Sequence, residues 1–295
     1  MQPADFLSAV FFYLKVGENL NQNWIVENLN NAFSTWNGKL GELWGLVTTG
    51  PQTFKGGAVW SVMQTLHNGM VGIGYALVVL FFAISLCKNT MNFHELKRPE
   101  AVIHYFLRFV AAKALVGYGM DIMLNVFSIC NGIVTDMADS MGGISEAMVS
   151  LPAEMQTAIE NVGFLASIPL WLVTILGSLF ITVLSFVMIL TVYGRFFCLY
   201  MYTALAPLPL AAFAGESTQS VGISFLKSYV GVCLEGAVIV LACVIYSAFV
   251  STPTVASGEA TTIVWSYLAE TVFNMLVLVG LIKGSDRIIH EMMGL

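Results

Sequence analysis

Charge is the scarcest property of this sequence. Only 10% of its 295 residues are Asp, Glu, Lys or Arg, against 57% hydrophobic residues, and the mean hydropathy is +0.80. An ordinary soluble domain is about a quarter charged, so this scarcity excludes a water-soluble globule and points to a polytopic membrane protein. Basic residues are also lacking at the start, where Asp5 precedes the first of them, Lys15. That is not the basic opening of a cleaved signal peptide, and no processing is expected. The five cysteines, Cys87, Cys130, Cys198, Cys233 and Cys243, lie in or at the ends of apolar runs without metal-ligand spacing, so they read as small buried hydrophobes. His67, His94, His104 and His290 show no ligand spacing either, and no metal or other cofactor is assigned. Phosphate loops, nucleophile elbows, paired catalytic carboxylates and zinc helices are absent, so the chain does not read as an enzyme. A net charge of −6 gives no general electrostatic reason to bind nucleic acid.

What the sequence has is long apolar runs. They predict an all-α, polytopic helical membrane protein with full spans at about 59–87, 102–130, 164–192, 221–250 and 263–282, and a re-entrant or broken segment at 196–214. Ahead of them, residues 1–58 form an N-terminal amphipathic region. Leu29, Phe33, Trp36, Leu40, Leu43 and Val47 recur there at spacings of three and four, the period of a helix with one apolar face. That face suits the chain's own membrane part or a partner equally. Trp24, Trp36, Trp44 and Trp60 suit a headgroup-level position.

Charge sets the expected topology. The loop after the first span carries Lys88, Lys97 and Arg98, a cytoplasmic marker, whereas 131–163 holds Asp136, Asp139, Glu146, Glu154 and Glu160 with no Lys or Arg. Gly142-Gly143 and Pro152 should divide that acidic segment into short pieces. If 196–214 crossed fully there would be six spans, and the tail with Lys283 and Arg287 would share the outside with the acidic segment. If it dips in and returns, Arg195, Lys227, Lys283 and Arg287 all become cytoplasmic, 131–163 and 251–262 lie outside, the N-terminus is outside and the C-terminus inside. The second arrangement obeys the positive-inside bias better.

Within the broken stretch, Pro207 and Pro209 each remove a backbone donor and disfavour helical geometry at the residue before. A helix broken at membrane depth must be shielded by protein or lie near water. Charged residues inside spans are functional candidates by default. Lys113 and Glu235 fall near mid-membrane and are expected to pair, as a fixed clamp between helices or as a polar channel wall. Arg108 is close enough to the cytoplasmic end to snorkel. Asp121 and Glu270 fall toward the outer side, facing a water-filled vestibule, and Arg195 reads as an interfacial anchor. Gly69, Gly72, Gly74, Gly117 and Gly119 would permit close helix approach.

The stretch GRFFCLYMYTALAPLPLAAFAGESTQSVGISFLKSYVGVCLEGAVIVLACVIYSAF, Gly194 to Phe249, resembles the TrbL-type polytopic inner-membrane subunits of conjugative type IV secretion systems. Arg195 opens the apolar run, Ala206-Pro207 closes it, 215–222 is the polar linker, and Phe225-Leu226-Lys227 opens the next span. The resemblance implies a bacterial inner-membrane location, an outside N-terminus, five spans and an inside C-terminus. It implies a homo-oligomer around a channel axis, next to secretion ATPases and the coupling protein, with transient contact to translocating single-stranded DNA. In that family the central outside loop is implicated in DNA contact; here 131–163 is short and acidic and would repel phosphate, so the contact is not carried over to it. The leading reading is therefore a channel or assembly subunit of a DNA-transfer machine. A secondary transporter using intramembrane charges is the alternative, although no matching broken helix appears in the first half. A membrane insertase would require a hydrophilic groove open to lipid.

Overall fold

The computed structural model describes residues 3–90, 99–140, 148–160, 162, 164–249 and 260–294. The fold is all-α, with no strand among the described residues. Its helices are α1 (Pro3–Thr48), α2 (Ala58–Thr90), α3 (Pro99–Gly117), α4 (Gly119–Ser140), α5 (Ala153–Glu160), α6 (Phe164–Leu205), α7 (Pro207–Ala211), α8 (Gln219–Phe249) and α9 (Ala260–Met293). Short 3-10 turns, Phe54–Gly57 and Ala212–Ala214, precede α2 and follow α7. The loop bearing Lys97 and Arg98, the Gly142-Gly143 break and most of the loop 251–262 lie outside the described residues.

Four helical stretches are long and apolar enough to cross a membrane: Phe54–Lys88, Ile168–Leu205, Gln219–Ala248 and Thr262–Met293. A fifth crossing results if α3 and α4, bent by 73° at Tyr118, count as one. The expected span 102–130 is therefore two helices. Gly119, Met123, Phe127, Cys130, Val134 and Ala138 bury one face of α4, while Asp121, Asn125, Ser128, Asp136 and Asp139 are exposed.

The break in the apolar run also falls elsewhere than expected. α6 does not close near 192; it continues to Leu205, so 196–205 is its last part and only Pro207–Ala214 is separate. Pro207 and Pro209 sit at the first and third positions of α7, where a missing N–H costs α7 no bond of its own. Ala206 between the helices keeps right-handed helical geometry (φ −48°, ψ −40°), contrary to the usual pre-proline preference. The run is thus interrupted by loss of donors at nearly unchanged backbone angles.

The chain forms two compact units. The first joins Met1–Gly45, Met141–Thr191 and Leu241–Lys283. Here Leu29, Phe33, Trp36, Leu40 and Leu43 form the buried stripe that their spacing predicts. Trp36 is wholly buried, so it is a core residue and not a headgroup-level one; Trp24 is half exposed and rests on Trp171, ring centroids 5.6 Å apart. Segment 148–151 is held from both sides. The Asn37 side chain donates to the Val149 carbonyl (2.8 Å) and accepts from its N–H (2.9 Å), and the Tyr267 hydroxyl donates to the Ser150 carbonyl (3.0 Å).

The second unit joins Leu46–Ser140, Val192–Val240 and Gly284–Leu295. Its core gathers around α7, which lies against α2 and α3 with Leu210 and Ala211 fully buried among Val78, Ala112, Val116 and Leu199. The broken segment is therefore shielded by protein, as its unpaired backbone requires. Gly74 permits this approach: a Cβ there would lie 2.9 Å from the Pro207 carbonyl oxygen and 2.9 Å from Val116 Cγ1. Gly69, five residues earlier on α2, faces open space. Accordingly, Gly74→Ala should lower stability by about 1–3 kcal/mol through overpacking. Gly69→Ala should leave it unchanged or raise it through better helix propensity. Unfolding in mixed micelles titrated with sodium dodecyl sulfate measures both, and equal effects would show that the α2–α7 contact is not this close.

Candidate functional site

Pro207 removes the donor that would have bonded the carbonyl four residues back, that of Thr203. In an apolar core that orphaned acceptor needs another partner. His67, on α2 and 2% exposed, supplies it: Nδ1 lies 2.7 Å from the Thr203 carbonyl oxygen. A carbonyl only accepts, so Nδ1 carries the proton and donates. Beyond the break, Leu210 N–H donates to the Ala206 carbonyl (3.1 Å), and the Thr218 hydroxyl donates to the Ala212 carbonyl (2.7 Å). The interruption is thus closed on both sides by side chains from outside the helical ladder.

Arg195 braces the opposite end of this stretch. It is 2% exposed, which rules out the interfacial anchor expected from sequence. Its Nε donates to the Val232 carbonyl (3.2 Å), Nη2 to the Cys233 carbonyl (3.1 Å) and Nη1 to the Val47 carbonyl (3.4 Å). The Phe127 ring lies below the guanidinium, 6.0 Å from Cζ to centroid. Val47 is in the last turn of α1, where carbonyls have no intrahelical donor and the helix dipole favours a cation. Asn131 Nδ2 donates to the next carbonyl, Thr48 (3.2 Å). Contact with the α8 backbone is possible because residue 236 is glycine: a Cβ there would lie 2.8 Å from Cζ and from both Nη atoms. The following turn is fastened to α6 by Tyr200, which donates to the Pro51 carbonyl (2.9 Å), and by Phe54 stacked on Phe196 at 4.0 Å. Lys55 Nζ sits 4.8 Å from the Tyr193 ring centre.

The other candidate residues are dispersed. Glu235, buried on α8, accepts from the Ser285 hydroxyl (3.1 Å) and stands within electrostatic range of Arg195. Lys113 is exposed on α3, so the expected Lys113–Glu235 pair does not form. Arg108 donates to the Gln219 side chain at the start of α8. Lys227 is exposed on α8, and Glu270 is exposed on α9 in the first unit. Asp121 borders a cleft of about 530 Å³ between Gly50-Pro51-Gln52 and α4. Sequence reasoning missed His67, Gly236 and Ser285. For His67 a partial signal existed: a proline inside an apolar run orphans the carbonyl four residues back, which calls for a side-chain donor from another helix.

Nothing in this arrangement gathers nucleophile, base and oxyanion donors. Its polar side chains instead satisfy backbone groups that a broken helix and a helix end leave open. Residues 36–207, more than half of the chain, match the model of the family described as TrbL/VirB6 plasmid conjugal transfer like protein. The match runs from the buried stripe of α1 through His67 and Arg195 to Pro207, and takes in only the first part of Gly194–Phe249. No curated protein and no solved structure matches the chain.

Two double-mutant cycles test the braces. His67→Leu should cost about 1–3 kcal/mol by orphaning the Thr203 carbonyl. Pro207→Ala, which restores an N–H at 207, should recover part of that loss, a coupling of about 0.5–3 kcal/mol in mixed-micelle unfolding. Additive effects would mean that His67 does not serve this carbonyl. Arg195→Met should cost about 1–3 kcal/mol by removing the donors to the Val47, Val232 and Cys233 carbonyls. Glu235→Gln should cost less in that background than in the wild type, and an equal cost in both would separate the two charges.

Proposed function

The chain belongs to the TrbL/VirB6 plasmid conjugal transfer like family, and from that premise we propose that it acts as a non-enzymatic channel or assembly subunit, several copies surrounding a conduit. It is a conjugal-transfer, type IV secretion subunit, a multi-pass bacterial membrane protein working among the other subunits of that machinery. In the proposed role, ATPases and the coupling protein supply the energy, since this chain has no nucleotide loop. Single-stranded DNA is the cargo. The N-terminus is outside and the C-terminus cytoplasmic, the orientation that the charge distribution favours.

The observation that carries a structural role over a coupled carrier is the fixation of Arg195. A carrier needs buried charges free to exchange partners as it alternates between states. Arg195 is held by three carbonyls from two helices, and Glu235 by Ser285. Those bonds favour a rigid frame around a deliberately interrupted helix. Conduction would then depend on how copies and partners assemble around that frame.

Deleting the gene in its native donor should abolish transfer of the host element, and wild type supplied in trans should restore it. The Pro207→Ala/Pro209→Ala double variant should reach the membrane at normal levels yet restore transfer at least about tenfold less well, because the restored N–H groups could then bond the Thr203 and Leu205 carbonyls and make the His67 brace redundant. Unchanged transfer after deletion would reject the secretion role in that donor, and proton- or ion-coupled uptake by the purified chain in liposomes would establish the carrier instead.

A further inference from the structure

The cleft beside α4 takes no part in either brace. Its volume of about 530 Å³ falls within the roughly 300–1,000 Å³ of ligand pockets. One wall is the turn Gly50-Pro51-Gln52; the other is the flank of α4 that carries Asp121, Asn125, Ser128 and Asn131. Spacings of four, three and three keep these residues on one side of the helix over a length of about 15 Å. Serines and threonines elsewhere, such as Thr135, Thr182 and Ser185, return their hydroxyls to their own helix backbone. The side chains of Gln52, Asp121, Asn125 and Ser128 make no hydrogen bond among the described residues. Asn131 gives its Nδ2 to Thr48 and leaves Oδ1 without a donor. The cleft is therefore rich in free acceptors, and its one charge is negative.

We propose that this cleft receives an extended peptide segment of another subunit of the secretion machine, with Asn125 holding its backbone and Asp121 its Lys or Arg. The chain already uses the same device on itself: Asn37 of α1 grips the backbone of Val149 with both its amide donor and its carbonyl. A 15 Å groove accommodates four or five extended residues at about 3.3 Å each. Nucleic acid does not suit it, because Asp121 repels phosphate and no Lys or Arg lines the walls. The inference rests on the chain being one subunit among several. It does not rest on copies surrounding a conduit, so the two readings fail separately.

The test uses the full chain in donor cells that carry the complete machine. p-Benzoylphenylalanine is placed at Ser128, which lines the cleft, and, as a control outside it, at Asp139, which is exposed on the same helix. Irradiation at Ser128 should give a protein adduct absent from Asp139, and mass spectrometry should locate the joined residue within two positions of a Lys or Arg. Changing that basic residue to Glu should lower the adduct yield about tenfold, and Asp121→Lys should restore it to within about threefold. An adduct no stronger than at the control, an adduct to DNA, lipid or a second copy, or failure of the charge exchange to restore the yield would each overturn the proposal. To separate a folding effect, the membrane level of Asp121→Lys and its chymotrypsin pattern, which a new lysine does not alter, are compared with wild type. If both are unchanged and transfer is also unchanged, the assigned role of Asp121 is rejected.

Discussion

The structure depends on one missing hydrogen. Pro207 takes the N–H that Thr203 needs, in surroundings where an unpaired carbonyl costs several kcal/mol. The hydrogen bond from His67 answers that deficit and in doing so fixes α2 against the end of α6. Once α2 is held there, Gly74 lies directly beside Pro207, and α7 can occupy the space between α2 and α3. The core of Leu210, Ala211, Val78 and Val116 then follows from apolar packing alone. Without that contact the Thr203 carbonyl would need another donor.

Arg195 solves a related problem at a different place. α1 ends inside the second unit, so its last carbonyls cannot rely on water. A guanidinium has five donors in a planar fork, which lets one side chain reach the α1 terminus and the α8 backbone together. Lysine, with a point charge, could not reach carbonyls on two helices in the same plane. The demand falls on Gly236 as much as on Arg195, since any Cβ at 236 would occupy the guanidinium's place. Both braces therefore follow one rule: where a helix leaves backbone groups open, a cationic or imidazole donor from another helix closes them.

Much of this was legible in the residues, and the failures have physical causes. The α1 stripe was readable because a period of 3.6 is a local signal. The position of the break was misread because charge drew the boundary at Arg195, and charge is a surface marker only when it stays at the surface. A buried arginine satisfied by carbonyls leaves no trace in hydropathy. His67 carries no ligand spacing because a single imidazole serving a single carbonyl needs none. Lys113 and Glu235 share a depth, but depth says nothing about which way a helix faces: Lys113 is exposed and Glu235 is buried. The grip of Asn37 on Val149 was not legible at all, being a contact across 112 positions.

The length of α6 constrains what can surround it. The apolar helix Ile168–Leu205 has 38 residues, nearly twice the ~20 that a hydrocarbon core of ~30 Å requires. The surplus is not hidden within the chain, since Ile168, Leu172, Phe186, Phe197 and Met201 are each more than half exposed. Contiguous apolar surface of that extent is unfavourable in water. Lipid meets part of the demand and protein must meet the rest, which is what a subunit built into a larger membrane machine would find around it. Arg195 lies inside this long run, not at its end, and that is why the run could not be divided correctly by charge.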